Sequence, residues 1–458
     1  MQDKYIKLGR AESVCPQCLK RLDAKKIACE EKVYIEKECQ EHGLFRTLIW
    51  NGPGYADWAQ EVEPAQPDRC ATKVEKGCPY DCGLCPDHRQ RSCCVLIEIT
   101  SRCNLGCPIC FASAGEGVND DPSVERIEEW LDMLLSSGGP FNLQISGGEP
   151  TVRDDLADIM RLAKRKGFYF LQLNTNGLRL AEESGYAKSL REAGLDCVYL
   201  QFDGVSDSPY IALRGRPLWD IKRQAVANCA EAGLGVVLVP TLTPGVNDGE
   251  VGGILRFAFD NLPWVRGVHF QPISYFGRHP GAPKDEDRIT LPELLAAMEE
   301  QTEGAVGREH FSPSGGQNSY CGFNGSFLLE EDGQIRPLSS GGGGCCSSAR
   351  TAQEYVARRW SAPETACCAE DEESACCCGE EQGDDENICT DALDTFLGRV
   401  KTHTLAVSCM LFQDAWNIEL DRLKQCHVHV VSPEGKLIPF CAYNLTASDG
   451  RPLYRGIE

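Results

Sequence analysis

Three cysteines in the middle of the chain have the spacing of a ligand set for an iron–sulfur cluster. Cys103, Cys107 and Cys110 form a C-x3-C-x2-C pattern directly after residues 96–100, an apolar segment that predicts a strand. Three thiolates on one short loop can bind three irons of a [4Fe–4S] cluster, which leaves the fourth iron without a protein ligand. Such an open iron can bind a substrate or a cofactor. A structural zinc loop is the alternative, although zinc usually takes a fourth protein ligand.

A second C-x3-C-x2-C set lies upstream and does not follow a predicted strand. Its members are Cys78, Cys82 and Cys85. We expect Cys93 or Cys94 to supply a fourth thiolate, which would close an auxiliary [4Fe–4S] cluster, and Cys70 is a further candidate. A zinc site is the alternative for this set.

Two short Cys/His pairs near the N-terminus predict a separate metal site. Cys15 and Cys18 form the first pair, Cys39 and His42 form the second, and a predicted strand lies between them. This C-x2-C…C-x2-H spacing is typical of a small ribbon that binds tetrahedral zinc or a mononuclear iron. Cys29 could replace His42 as a ligand or could be a buried thiol.

Four single cysteines in the C-terminal region are candidates for a second auxiliary [4Fe–4S] cluster. Residues 432–435 have the composition of a turn, and the hairpin that they predict brings Cys426 and Cys441 close together. With Cys321 and Cys409, these residues would provide four thiolates for a cluster that covers the barrel mouth. Four unrelated buried thiols are the alternative.

The elements that position the first cysteine set alternate between strand and helix. Apolar strand-like segments are separated by helical periods, and this alternation predicts a parallel sheet with helices outside it. Six such units favour an open, partial (β/α)6 barrel with its chemistry at the carboxyl ends of the strands. Periodicity alone fits a doubly wound open sheet equally well. The predicted strands are residues 96–100, 142–146, 168–173, 197–202, 236–242 and 268–273.

Composition divides the chain into four regions. A metal ribbon is expected in residues 1–60, a cysteine-rich linker in 61–95, an α/β core in 96–305 and a C-terminal auxiliary-cluster domain in 306–458. The last region contains a Gly-, Cys- and acid-rich insert at about residues 340–400. Because such a composition buries little apolar surface, we expect the insert to be flexible.

Charge and cysteine content exclude several classes of protein. The 458 residues include 46 Lys and Arg against 68 Asp and Glu, so the net charge is −22. A chain this acidic is a poor binder of nucleic acid and of anionic membrane surfaces. No apolar run approaches the length of a membrane span, and the N-terminus lacks the apolar core of a secretory signal. The 27 cysteines are therefore expected to be reduced, metal-binding thiols of a cytoplasmic protein.

Residues 95–305 resemble the radical S-adenosylmethionine (SAM) superfamily. The cluster loop, the Gly-Gly-Glu-Pro segment after the second strand and the polar residues after later strands all match that family. The resemblance implies a partial barrel in which a reduced [4Fe–4S] cluster cleaves SAM to a 5′-deoxyadenosyl radical. Ferredoxin or flavodoxin would be the electron donor. The SAM-binding residues that it implies are Phe111, Gly147, Gly148, Glu149, Pro150, Asn174, Asn176, Gln201, Asp203, Arg214 and Gln271.

The arrangement of all the motifs is similar to the tetraether lipid synthase group of that superfamily. The paired N-terminal ligands, the two C-x3-C-x2-C sets and the C-terminal segments 426–429 and 438–444 carry this likeness. Known members join or modify lipid chains at unactivated carbons, and related enzymes methylate pterin rings. The likeness implies C–C bond formation or methylation on a lipid or a small molecule. The acidic insert departs from the lipid enzymes, and no long apolar face indicates a lipid tunnel.

Two other functions fit part of the same sequence. Radical SAM enzymes that modify peptides also carry Cys-rich C-terminal domains, although residues 1–60 are more typical of a metal ribbon than of a peptide-binding module. A non-enzymatic protein that carries clusters, or handles selenium or metals, would use the Cys-Cys tracts of the insert. Release of 5′-deoxyadenosine from SAM separates the enzymes from this last class.

Overall fold

The N-terminal residues form an antiparallel sheet of four strands in chain order. The computed structural model describes residues 5–115, 121–338, 349–363 and 391–456. The turn after the first strand and the turn after the third lie at the same end of the sheet, and they carry Cys15 and His42. The strands are β1 (Ile6–Val14), β2 (Arg21–Cys29), β3 (Lys32–Cys39) and β4 (Gly43–Asn51).

The core is a parallel sheet whose spatial order follows the chain. The short strand β10 (Thr241–Leu242) adds to its last member. A doubly wound sheet reverses its strand order at a switch point. This sheet does not, so the partial-barrel prediction is confirmed and the alternative is wrong. The strands, in both chain and spatial order, are β5 (Cys94–Glu98), β6 (Asn142–Ser146), β7 (Leu171–Thr175), β8 (Cys197–Gln201), β9 (Gly235–Val239) and β11 (Val265–Pro272).

Helices follow the core strands and pack their apolar faces on the sheet. In the first helix, Ile127, Leu131 and Leu134 are fully buried against the sheet, and the hydroxyl of Ser123 accepts a hydrogen bond from the N–H of Arg126 to cap the helix. The helices are α1 (Val124–Ser136), α2 (Leu156–Arg165), α3 (Leu178–Glu182), α4 (Tyr186–Glu192), α5 (Asp207–Arg214), α6 (Trp219–Glu231), α7 (Val251–Asp260) and α8 (Leu291–Gln301).

The C-terminal region extends the core sheet at both edges instead of forming a separate body. β15 (Thr404–Met410) pairs in parallel with β11, and β16 (Val428–Val431) pairs in parallel with β5. β13 (Gly322–Leu329) and β17 (Leu437–Pro439) add antiparallel strands outside them, and the second forms the predicted hairpin with β16. The remaining elements are β12 (Ser312–Pro313), β14 (Ile335–Pro337), α11 (Leu420–Lys424) and α12 (Phe440–Tyr443).

Two helices lie within the insert that was expected to be flexible. They are α9 (Ala349–Trp360) and α10 (Asp391–Thr402), and the Cys-rich tracts between and before them lie outside the described residues. The backbone carbonyl of Gln353 accepts a hydrogen bond of 2.9 Å from Asn142, and Trp360 is buried at the amino ends of the core strands. Helix α9 packs on the core because Val356 and Trp360 give it an apolar face that covers this end of the barrel.

A buried ion pair fastens the C-terminal region to the core. Arg288 donates two hydrogen bonds of 3.0 Å to Asp414, whose carboxylate also accepts from the N–H of Tyr275. Beside it, the buried ammonium of Lys37 donates to the carbonyl of Ala415 and joins the ribbon to the same segment. No helix among the described residues combines the length and the hydropathy that crossing a bilayer requires.

Replacing Asp414 with Ala should destabilise the fold by about 3–5 kcal/mol, because the change leaves the buried Arg288 charge without a partner. The measurement is the free energy of unfolding in denaturant. Asp158→Ala, which removes an exposed ion pair with Arg161, is the matched control and should cost less than about 1 kcal/mol. Equal losses in the two variants would contradict the assigned role of the buried pair.

Candidate active site

The cluster loop begins where β5 ends, at the carboxyl edge of the parallel sheet. Cys103, Cys107 and Cys110 line a cavity of about 380 Å³ inside the barrel. The segment after β11 holds this loop, because the Cys110 N–H donates to the Arg278 carbonyl at 2.9 Å and Arg278 Nε donates to the Cys107 carbonyl at 2.8 Å. Burial raises the pKa of Cys103 to about 11, so a bound cation is needed to stabilise its thiolate.

Two glycines after β6 allow the backbone of this strand to approach the cluster loop. The Gly148 N–H donates to the Thr100 carbonyl at 2.8 Å, and the next N–H donates to the Arg102 carbonyl at 2.9 Å. A Cβ on Gly147 would overlap the Thr100 carbonyl, and one on Gly148 would overlap the Arg102 carbonyl. Gly147 also has a positive φ of 131°. The glycines therefore serve a contact between two backbone segments, in addition to any contact with a ligand.

The carboxylate of Glu149 joins the ends of β6 and β7. It accepts hydrogen bonds from the N–H and hydroxyl of Thr151, from the Thr175 hydroxyl at 2.7 Å and from the Asn176 N–H at 2.7 Å. The side chain of Asn176 in turn donates to Asn104 in the cluster loop at 2.7 Å. The carboxylate thus already has several protein partners, and it fixes the strand ends around the cavity.

A buried polar network lies below these strand ends. Asp203 is fully buried and accepts two hydrogen bonds from Arg214, at 2.7 and 2.8 Å, and a third from Gln201. The Gln201 carbonyl oxygen accepts from Lys222 at 2.8 Å, and Lys222 also donates to the backbone of Asn176. Burial lowers the pKa of Lys222 to about 7. Arg214, one of the expected SAM-binding residues, is thus held by Asp203 at the cavity wall.

The structure brings most of the expected SAM-binding residues to this one cavity. Asp203 and Pro150 do not line it: the first is buried beneath its wall, and the second begins a short helical turn after β6. Lys222 and Arg278 were missed from the sequence, because neither stands in a recognisable motif. The expected residues that line the cavity are Phe111, Gly147, Gly148, Glu149, Asn174, Asn176, Gln201, Arg214 and Gln271.

The ribbon brings its four expected ligands together. Candidate ligand atoms of Cys15, Cys18, Cys39 and His42 all lie within 4.8 Å of one another. The Nδ1 of His42 lies 3.5 and 3.4 Å from the sulfurs of Cys15 and Cys39. Such a set fits one tetrahedral metal ion. Cys29, the alternative ligand, ends β2 and does not belong to the group.

The second C-x3-C-x2-C set lies around a small cavity together with a histidine. Cys78, Cys82 and Cys85 line a small cavity that His88 also lines. Hydrogen bonding and charge from Cys78, together with burial, raise the pKa of Cys82. The two residues expected to supply a fourth thiolate, Cys93 and Cys94, line the barrel cavity instead.

Three of the four C-terminal cysteines belong to a second group. Burial raises the pKa of Cys441, and the neighbouring Cys426 and Cys321 raise it further. The buried Arg422 donates a hydrogen bond of 3.4 Å to the sulfur of Cys321. The fourth expected member, Cys409, lies on β15 and lines the barrel cavity.

Family models match two parts of the chain. Residues 97–258 match the radical SAM superfamily, and residues 7–51 match the N-terminal zinc ribbon domain of HMPTM. A 7,8-dihydro-6-hydroxymethylpterin dimethyltransferase of Methanocaldococcus jannaschii is 36% identical over 94% of this chain and 92% of its own length. The chain belongs to the radical SAM superfamily. It is therefore an iron–sulfur enzyme that uses SAM, and its full-length relative is a methyltransferase.

Other similar proteins match a smaller share of this chain. A GTP 3′,8-cyclase of Moorella thermoacetica is 34% identical over 39% of this chain and 55% of its own length. Among solved structures, Streptococcus suis SuiB bound to S-adenosylmethionine is 16% identical, with a TM-score of 0.39 over 47% of this chain and 48% of that one. Methylornithine synthase is also 16% identical, with a TM-score of 0.38 over 47% of this chain and 63% of that one.

Replacing Gly148 with Ala should abolish assembly of the cluster at Cys103, Cys107 and Cys110, because the new Cβ displaces the backbone of the cluster loop. The measurement is iron per chain and the absorbance of the cluster after anaerobic reconstitution. Gly106→Ala is the matched control in the same loop, since a Cβ there meets nothing within 4 Å. Normal cluster content in the Gly148 variant would show that the contact tolerates a side chain.

Replacing His42 with Ala should remove one metal ion per chain and loosen the ribbon, because small ribbons depend on their metal for folding. Total metal content and amide hydrogen exchange in β1–β4 measure the two effects. Cys29→Ala should leave both unchanged. Metal loss in the Cys29 variant, with normal content in the His42 variant, would reverse the ligand assignment.

Proposed function

We propose that this enzyme methylates an unactivated carbon of a reduced pterin such as 7,8-dihydro-6-hydroxymethylpterin. The full-length relative named for this substrate supports the proposal, because its similarity includes the ribbon and the C-terminal strands as well as the barrel. A likeness limited to the barrel would support only SAM cleavage.

The observation that carries the choice of substrate is the amide lining of the cavity. Side-chain amides can both donate and accept hydrogen bonds, as a pterin ring requires, whereas a lipid chain gains nothing from them. Aromatic residues on the same walls can pack against a flat ring. The amide residues that line the cavity and are not among the expected SAM-binding residues include Asn142, Gln144, Gln172 and Asn324.

Coupling of lipid chains, as in the tetraether lipid synthase group, is the second candidate. It is favoured by an apolar group that lines the cavity beside the cluster loop and contains Ile109, Phe276, Phe412 and Phe440. The ring centroids of the last two are 4.3 Å apart. The amides beyond it would be desolvated by an alkyl chain at a cost. We therefore prefer the pterin.

The protein chain positions the cofactors, supplies a charged group to bind SAM and excludes water from the cavity. Cys103, Cys107 and Cys110 would hold the cluster, which when bound supplies the electron that cleaves SAM. Arg214 is oriented by Asp203 toward the cavity, where its guanidinium can bind a carboxylate. Burial of the cavity inside the barrel protects a reactive radical from solvent. A ferredoxin or a flavodoxin would deliver the electron in the cytoplasm.

Reconstituted protein with SAM and a strong reductant should form 5′-deoxyadenosine, and addition of the dihydropterin should yield a methylated pterin detected by mass spectrometry. The variant with Cys103, Cys107 and Cys110 all changed to Ala should lose about four irons and both products. A long-chain lipid is the comparison substrate. Modification of the lipid, with the pterin unchanged, would favour the second candidate.

We further infer two auxiliary clusters. The first would be bound by Cys78, Cys82 and Cys85, and His88 is the neighbour that can complete it, since histidine ligates iron in some iron–sulfur centres. Burial lowers the pKa of His88 to about 4, so its ring is neutral. Its Nε2 lies 2.9 Å from the Cys426 carbonyl, which leaves Nδ1 for a metal. The second would be bound by the group Cys321, Cys426 and Cys441.

In a background without Cys103, Cys107 and Cys110, the protein should retain about eight irons in two clusters, counted by Mössbauer spectroscopy. Adding His88→Ala should change the electron paramagnetic resonance spectrum of one cluster. Adding Cys93→Ser or Cys94→Ser instead should leave the spectrum unchanged. The opposite pattern would return the fourth ligand to the cysteine pair expected from the sequence.

A further inference from the structure

The barrel cavity extends from the cluster loop to a floor at the amino ends of the strands. Helix α9 forms this floor with Ala352, Tyr355, Val356 and Trp360. The Nε2 of Gln353 donates a hydrogen bond of 2.8 Å to the Pro140 carbonyl and holds the helix in place. A segment of the insert therefore completes the inner end of the active-site cavity.

One wall near the floor is aromatic. The ring of Tyr199 lies 5.5 Å from that of His269 and 5.4 Å from that of Trp360, measured between centroids. The Nδ1 of His269 lies 2.8 Å from the hydroxyl oxygen of Ser408, which fixes the imidazole. Three packed rings at the edge of a cavity are a suitable surface for a flat ligand.

Two buried polar atoms of residues that line the cavity have no hydrogen-bond partner among the described residues. They are Oδ1 of Asn142 and Nδ1 of His427, whose residues are 1% and 7% exposed and line the cavity. The amide nitrogen of Asn142 is used by α9, where it donates to the Gln353 carbonyl at 2.9 Å. Leaving a buried polar atom unpaired costs about 1–3 kcal/mol, so such atoms point to a missing partner.

The two residues lie on either side of Cys94, at the start of β5. Cys94 pairs with Asn142 across the sheet, and its N–H donates to the His427 carbonyl at 3.4 Å. The His427 ring also bonds the backbone of Gly316, so Nδ1 is the ring nitrogen left for a ligand. An imidazole that carries its proton on Nε2 accepts a hydrogen bond at Nδ1. The floor therefore offers two hydrogen-bond acceptors, which suit a ligand edge that carries two N–H donors.

We propose that the floor of the barrel binds the amino-oxo edge of the substrate heterocycle, with Asn142 Oδ1 and His427 Nδ1 accepting its two N–H groups and the aromatic wall packing on its face. This inference rests on the proposed function and defines the orientation of its substrate. The 2-amino-4-oxo edge of a pterin presents adjacent ring and exocyclic N–H donors. The opposite edge, which bears the hydroxymethyl group, then faces the cluster loop.

The test is anaerobic binding to the reconstituted enzyme with SAM present, using 6-hydroxymethylpterin and 6-hydroxymethyllumazine as probes. The lumazine has an oxygen in place of the 2-amino group. Wild-type enzyme should prefer the pterin by roughly tenfold or more, since one donor is lost and one acceptor is left unpaired. Asn142→Leu and His427→Phe should each weaken pterin binding by a similar factor, and at least one should remove the preference for pterin over lumazine.

Gln353→Ala is the control, because it removes a contact of α9 with the barrel and leaves both acceptors in place. It should keep the preference, and iron content is measured in every variant to show that it folds. An unchanged preference in both acceptor variants would overturn the proposal. If one acceptor variant fails to fold, the other decides.

Failure of the proposed function gives a different result. If wild-type enzyme binds neither probe, the pterin assignment is wrong, and 2-aminopyrimidin-4-one is the remaining probe for the floor. Binding of this single ring that depends on Asn142 or His427 would support a site for a two-donor edge without a pterin substrate. No binding of the single ring would overturn the floor site as well.

Discussion

The active site depends on a close contact between two backbone segments. The chain after β6 lies against the start of the cluster loop so tightly that Gly147 and Gly148 leave no room for a side chain. The hydrogen bonds across this contact fix where the three cysteines lie relative to the ends of the parallel strands. Glu149, after β6, accepts a hydrogen bond from the N–H of Asn176, after β7. The side chain of Asn176 in turn donates to the cluster loop, so the two strand ends and the loop are held together. The result is a preorganised site in which few groups must move when the cofactor binds.

The charges beneath the cavity would be costly if any of them were isolated. Asp203, Arg214 and Lys222 are removed from solvent, and desolvation of such groups is offset only when their hydrogen bonds are satisfied. Gln201 lies between the acid and the lysine and satisfies both. Because their hydrogen bonds are satisfied, these buried groups form a rigid support for the Arg214 guanidinium at the cavity wall.

Local patterns in the sequence predict the core strands and the metal ribbon well, because period, turn residues and ligand spacing are all short-range properties. The cavity of Cys78, Cys82 and Cys85 was harder to predict: His88 lines it and stands at C-x2-H spacing from Cys85, but the Cys93-Cys94 doublet drew the assignment of a fourth ligand away from it. Helix α9 was missed because the acidic composition of its surroundings hides a short apolar face. The strands β15 and β16 pair with core strands that are far away in the sequence, and no local pattern predicts such pairing.

That pairing has a consequence for how this enzyme can evolve and be manipulated. In the described chain, β5 and β11 are interior strands only because β16 and β15 cover them. A fragment ending near residue 305 would present both strands as bare edges, which are templates for aggregation. The catalytic barrel is therefore not a portable module: it cannot be excised, or exchanged with the barrel of another enzyme, without the strands that follow it by a hundred residues or more.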